Sequence, residues 1–284
     1  MKKYCFLLLL TIVIGLAGCG GKTGSGHTEG CVAATTKPVA LFAGMLLRGT
    51  PVQVETVVEE SVSCLHDYAL SVRQMELLSS ADAVLISGAG LEAFMDDALQ
   101  NARTVVDGSA GVDTLTGKEG ADPHYWLDPR RAKTMAAGLA AGLSSVYPQY
   151  EAEISANSAE LSARLDELTA YGTERLSALN SRGLVTFHDG FAYFADAFGL
   201  TVAAAIEQEA GSEIAAAELE KVIDLIRTEK IPAIFTEENG TENAADIVAA
   251  ETGASKFVLA TGLGDTGYFD AMRRNIDTVR EALS

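Results

Sequence analysis

Basic residues are in short supply. Against 39 Asp and Glu the 284-residue chain sets only 21 Lys and Arg, a formal charge of −18. Proteins that neutralise phosphates cluster Lys and Arg, so nucleic acid is excluded as a partner class. Docking on anionic lipid through a basic face is excluded for the same reason. Proline is sparse (6 residues), and 48% of the chain is hydrophobic, which rules out collagen-like and disordered classes. No GxxxxGK[ST] stretch is present, and nucleotide binding is not expected. No HExxH pair marks a metalloprotease helix. The length is that of one large domain or two smaller ones, each able to bury a core.

Long apolar runs are also missing. The most apolar segment, Cys5–Gly18, has 14 residues, short of the roughly 20 that span a bilayer as a helix. It follows Met1-Lys2-Lys3 and closes on Leu16-Ala17-Gly18-Cys19, the order of a secretory signal with small residues at its cleavage site. The last four residues resemble the lipobox of bacterial lipoproteins, which implies a signal at 1–18, cleavage before Cys19 and lipid on that cysteine. Residues 20–30 read GGKTGSGHTEG, a flexible tether reaching about 17–20 Å at 5–6 Å × √n. A chain so anchored lies at a membrane without spanning it. Loss of residues 1–18, which carry Lys2 and Lys3, lowers the formal charge from −18 to −20.

Four cysteines thereby reduce to Cys31 and Cys64. Cys31 opens one expected strand, while Cys64 lies beyond the end of the next. In a parallel sheet those are opposite ends, too far apart for a disulfide, so two free thiols are expected.

Short β-branched runs alternate with longer helical ones. Strands are expected at Cys31–Thr36, Val52–Val58, Ala83–Ser87 and Thr104–Val106, with helices at Pro38–Arg48, Ser71–Ser80 and Leu91–Asn101. The rhythm resumes with strands near Leu184–Phe187, Ala203–Ile206, Ala233–Thr236 and Phe257–Leu259. Helices fit Phe191–Phe198, Ala215–Glu229, Glu242–Thr252 and Tyr268–Leu283. This alternation implies an α/β protein with parallel sheets flanked by helices. Between the halves, Gln149–Leu179 has no Pro and one Gly, with apolar Ile154, Leu161, Leu165, Leu168 and Leu176. It reads as a linking helix of about 30 residues, roughly 45 Å long, or as two helices broken at Gly172. The expected division is an N-terminal lobe at 31–148, the linker at 149–180 and a C-terminal lobe at 181–284.

There are four histidines. His27 sits in the tether. His66, His124 and His188 each fall at or after the end of an expected strand, where ligands of open α/β sheets bind. Imidazole is the commonest protein ligand for zinc and other borderline metals. Asp67, Asp122 or Asp128, and Asp189 stand near the three rings in sequence and are candidates to orient them.

At these residues a family resemblance becomes specific. Cys64-Leu-His66-Asp67-Tyr68 and Leu85-Ile-Ser-Gly-Ala-Gly-Leu-Glu92 resemble the first ligand loop, and the strand-turn after it, of the zinc- and manganese-binding lipoproteins that serve ABC-type metal importers. Asp122-Pro-His124-Tyr-Trp-Leu-Asp-Pro129 resembles the second ligand motif, and Thr186-Phe-His188-Asp189-Gly-Phe-Ala-Tyr-Phe194 the third. Ile234-Phe-Thr-Glu237 and Tyr268-Phe-Asp-Ala-Met-Arg-Arg-Asn275 resemble later segments.

The resemblance implies a metal-type periplasmic binding protein fold: two lobes on a rigid backbone helix, metal held between them by His66, His124 and His188, and a membrane permease as partner. Manganese-selective members tend to carry a carboxylate at the third position, so His188 points to Zn2+ ahead of Mn2+. The chain departs from the family in two places. Ala260-Thr261 stands where a carboxylate is common, leaving Asp265, Glu209 or a water for the fourth position. The segment Thr116–Ala121 is short and lacks the histidines of some zinc members.

Tyr125 and Trp126 are candidates either to shield the metal or to pack in the core. Glu207, Glu209 and Glu213 form an acidic stretch. The leading expectation is an extracytoplasmic, lipid-anchored, monomeric metal carrier without enzymatic activity. Two rivals are a zinc hydrolase with Glu237 as base, and an adhesin-like lipoprotein in which metal only stabilises the fold.

Overall fold

The computed structural model describes residues 30–58, 68–117, 120–207, 215–237, 242–261 and 267–284. The signal, Cys19 and the tether, along with Cys64, His66, Asp67, Glu209, Glu213 and Asp265, lie outside them. The first half runs β1 (Cys31–Ala34), α1 (Lys37–Leu46), β2 (Gln53–Thr56), α2 (Val72–Ser80), β3 (Ala83–Ile86), α3 (Asp96–Leu99) and β4 (Val105–Asp107). Then come α4 (Pro129–Val146) and α5 (Glu151–Arg175). The second half holds β5 (Gly183–His188), α6 (Ala192–Phe198), β6 (Thr201–Glu207), α7 (Ala216–Glu229), β7 (Ala233–Glu237), α8 (Glu242–Thr252), β8 (Ser255–Leu259) and α9 (Tyr268–Leu283). Two four-stranded parallel sheets result, ordered β2-β1-β3-β4 and β6-β5-β7-β8.

Local chemistry sets the helix starts. Pro38 occupies the first turn of α1, and Ser71 and Gln74 close a capping box at the head of α2. Asp128 caps α4, its carboxylate accepting from the Arg130 amide at 2.8 Å. Leu91–Asn101 forms only a 3-10 turn and the four-residue α3 where a longer helix is expected.

Helix α4, not expected from the sequence, buries Ala132, Met135, Ala136, Leu139, Ala140 and Leu143 at helical spacing. Gly138 and Gly142 dilute that pattern, and Gly142 has a packing reason: a Cβ there would lie 2.4 Å from Val106 Cγ1. The linker is one helix, α5, 25 residues long and about 37 Å at 1.5 Å per residue. It runs unbroken through Gly172, because the missing side chain admits the Phe198 ring, 2.2 Å from where a Cβ would sit.

The central strands β1, β3, β5 and β7 bury both faces, as parallel strands covered by helices must. Val32 and Ala34 of β1 and Ala233 and Phe235 of β7 face one continuous core, with Phe42, Leu139, Leu165, Phe194 and Tyr268. The alternate residues face separate clusters: Ala33 and Val84 in one, Val185 and Ile234 in the other. The shared core makes α4, α5 and α9 a common wall for both halves. No described helix is long and apolar enough to cross a membrane. Cys31 carries a free thiol.

Candidate metal site

His188 is the last residue of β5, beside Glu207 of β6, and its carbonyl accepts from the Thr186 hydroxyl at 2.8 Å. His124 precedes a single 3-10 turn, Tyr125–Leu127, that leads into α4. Although 64 residues apart, the two imidazoles meet edge to face, with centroids 4.9 Å apart at 82°. Their Nε2 atoms are 3.1 Å apart.

The other ring nitrogen of His124 is occupied. Asp122 Oδ1 accepts from His124 Nδ1 at 2.8 Å and from the His124 amide at 2.9 Å. With the Nδ1 proton held by a carboxylate, Nε2 presents its lone pair toward His188, the arrangement of metal-ligating histidines. Asp128 is engaged elsewhere. It is fully buried and pairs with Arg130 and Arg131. Asp122, of the two candidates, therefore orients His124.

Burial, and then the neighbouring His124 ring, push the His188 imidazole down to about 3. It is neutral at physiological pH and needs no deprotonation to donate a lone pair. Its Nδ1 is buried without a hydrogen-bond partner among the described residues. Gly190 clears the space around the pair. A Cβ at that position would fall 2.5 Å from His188 Cδ2, 2.7 Å from His188 Nε2 and 3.2 Å from His124 Cδ2. The sequence carries no local sign of this, since Gly190 reads there as one more residue of a loop.

Behind the rings the walls are polar and satisfied. Trp126, 2% exposed, stands with its ring 5.4 Å from that of His124, and its indole N–H donates to Thr261 O at 2.7 Å. The Tyr268 hydroxyl donates to Trp126 O at 2.8 Å. Tyr125 is fully buried and donates to Ser87 O. Ser87 and Gly88 donate their amides to the buried Glu92 carboxylate at 2.7 and 2.9 Å, and Thr35 donates its hydroxyl at 2.6 Å. Burial raises the Glu92 pKa despite these bonds. Tyr125 and Trp126 thus pack in the core, and Trp126 also borders the imidazole pair.

Of the sequence candidates, the structure brings together His124 and His188. His66, Asp265 and Glu209 lie outside the described residues, as do Asp67 and Glu213. Glu237 ends β7, two residues beyond the Thr186–Phe235 pairing that joins β5 and β7. Among the described residues, no group of three or more His, Cys, Asp or Glu is set to hold a metal. Gly262-Leu-Gly-Asp-Thr-Gly267 spells a lone GxGxxG after β8. Yet β8 is the outer strand of its sheet, whereas the strand order reverses between β5 and β7, where open α/β sheets bind ligands. The match therefore follows a strand that is not at the switch point where a dinucleotide loop is expected.

Two parallel-sheet halves on a long helix, with one imidazole ending β5 and a second brought against it from the segment before α4, fit a solute-binding protein of the metal-uptake class. The chain belongs to the ZnuA family, zinc-uptake complex component A periplasmic, which matches residues 32–282. It is 27% identical over 311 residues to the manganese-binding lipoprotein MntA of Bacillus subtilis (strain 168), covering 100% of both chains. To the high-affinity zinc uptake system protein ZnuA of the same strain it is 25% identical, covering 98% of this chain and 95% of that protein. The periplasmic zinc-binding protein TroA from Treponema pallidum superposes with a TM-score of 0.82 at 25% identity, over 90% of this chain and 99% of that one.

Proposed function

We propose that this protein captures a divalent transition metal, zinc ahead of manganese, and delivers it to the permease of an ABC importer. The observation that carries the reading is the His124–His188 pair. Two imidazoles bound to one tetrahedral zinc at 2.0–2.1 Å hold their nitrogens about 3.3–3.4 Å apart. The 3.1 Å between the Nε2 atoms is within a few tenths of that spacing. A zinc ion between them requires the rings to part slightly and His188 to carry its proton on Nδ1, leaving both Nε2 lone pairs for the metal.

In this reading His124 and His188 ligate through Nε2, and His66 supplies the third imidazole. Asp265, Glu209 or a water completes the shell. Imidazole ligands favour zinc over manganese, both by softness and by the general order of divalent affinities. The names of the relatives include both metals, so the preference rests on the ligand types. The protein releases its cargo unchanged and performs no catalysis.

The proposed division is a lobe at 31–148, a linker at 149–180 and a lobe at 181–284. It is supported by the placement of β1–β4 before α5 and β5–β8 after it. Lipid on Cys19 and the tether at 19–30 hold the monomer at the outer face of the cell membrane, a reading supported by the lipobox-like sequence and by a relative named as a lipoprotein.

Competition titration of zinc against manganese on the mature protein tests the site. His66→Ala, His124→Ala and His188→Ala are each expected to weaken zinc binding strongly, and His27→Ala to leave it unchanged. Equal effects from all four contradict the ligand set. Uptake of labelled zinc in cells lacking the protein tests the carrier role, which unchanged uptake would overturn.

A further inference from the structure

The segment that carries Asp122 begins with a short antiparallel pairing. Thr116 and Ala121 form an antiparallel bridge, and the Gly117 amide donates to Gly120 O at 2.7 Å. One step below, the Asp122 amide donates to Leu115 O at 2.8 Å. In an ordinary antiparallel ladder two facing residues exchange both bonds, so the Leu115 amide would donate to Asp122 O. Here that reciprocal bond is replaced. The Leu115 amide donates instead to the Tyr193 hydroxyl at 2.7 Å, and the hydroxyl donates to Asp122 O at 2.7 Å. An amide can only donate and a carbonyl can only accept, so the hydroxyl proton has one place to go.

Tyr193 comes from the other half of the molecule. It lies in the first turn of α6, five residues after His188, and is fully buried. The Arg131 guanidinium sits over its ring, 5.0 Å from the centroid. Arg131 and Arg130 of α4 also pair with Asp196 of α6 at 2.6 and 3.2 Å, tying the two helices together one turn beyond the tyrosine. One strand–helix unit therefore supplies His188 directly and grips the backbone of Asp122, whose carboxylate orients His124.

We infer that Tyr193 is a positioning residue for metal capture: its hydroxyl, inserted between the Leu115 amide and the Asp122 carbonyl, sets the place of Asp122 and thereby the tautomer and aim of His124. The inference rests on the reading of His124 as a ligand. Without the hydroxyl, Leu115 and Asp122 can close their direct ladder bond. The two residues then stay paired, but Asp122 leaves the place that the hydroxyl gives it. The effect expected is that of losing an outer hydrogen-bond partner of a metal ligand, about 10–100-fold in affinity.

The test is Tyr193→Phe in the full mature chain, with two readouts. In the metal-free protein, long-range 1H–15N spectra of labelled histidines report the tautomer. The parent is expected to hold the His124 proton on Nδ1, and the variant to show a mixture. Zinc affinity, measured against a chelator, is expected to fall about 10–100-fold. On an Asp122→Ala background the same change is expected to add little, because Tyr193 acts through Asp122.

An unaltered tautomer, a parental affinity, or full additivity with Asp122→Ala overturns the proposal. So does a Tyr193→Phe chain that fails to fold, since the role is then one of folding. If His124→Ala leaves zinc binding intact, it is the metal reading that fails. The tautomer in metal-free protein then decides the positioning claim alone.

Discussion

Around the imidazole pair, single atoms decide what the site can do. Gly190→Ala adds one methyl group, but that methyl falls 2.7 Å from His188 Nε2, so the ring must turn or the backbone shift. We expect zinc affinity to fall by at least about tenfold, the lower end for disturbing a ligand's support, with the far-UV circular dichroism unchanged. Parental affinity would show the methyl to be accommodated.

His188 also makes a pH prediction. Its folded pKa of about 3 lies below the roughly 6.5 of an unfolded histidine. The unfolded chain therefore binds a proton at this residue that the folded chain does not. Stability is full above the unfolded value and is lost as pH falls from about 6.5 toward 3. Denaturant unfolding of the metal-free protein at pH values across that window is expected to show the loss, and His188→Gln to flatten it. Parallel pH profiles for parent and variant contradict the assignment.

At the scale of elements, glycines separate packing from propensity. Gly172, inside α5, leaves room for Phe198 of α6. Gly172→Ala is expected to destabilise by about 1–3 kcal/mol through overpacking. Gly44, inside α1, has nothing within 4 Å of a built Cβ, so Gly44→Ala is expected to stabilise by up to about 1 kcal/mol. Urea unfolding of the two variants checks the opposite signs.

The same contrast explains what was legible in the sequence. Strands such as Ala233–Glu237 stand out because β-branched and aromatic residues concentrate between turn signals. Helix α4 escapes because its buried face is largely alanine and its two glycines dilute the periodicity. The resemblance in motif order pointed to His124 and His188 as partners, which no local pattern could join across 64 residues. The hydroxyl of Tyr193 in another element's ladder, and the clearance at Gly190, arise from tertiary packing and leave no periodic signal.

For the whole molecule, the two halves are bound along a broad seam. Phe42 meets Tyr268 edge to face at 4.9 Å, Trp126 reaches Thr261, and one apolar core passes through α4 and α5. Such a seam opposes the wide hinge closure open to binding proteins with flexible linkers. Small-angle scattering curves of metal-free and zinc-loaded protein are expected to superpose, and a marked compaction on loading would contradict this. Trp126 is the only tryptophan in the chain, so its emission gives a direct optical record of events beside His124.

The central claim is that one metal ion sits where the two halves bring His124 and His188 together. Anomalous scattering at the zinc edge, from crystals of the mature protein with equimolar zinc, tests it most directly. The account predicts a single strong peak about 2.0–2.1 Å from Nε2 of both histidines. A principal peak elsewhere, with the imidazoles still in contact with each other, would contradict it.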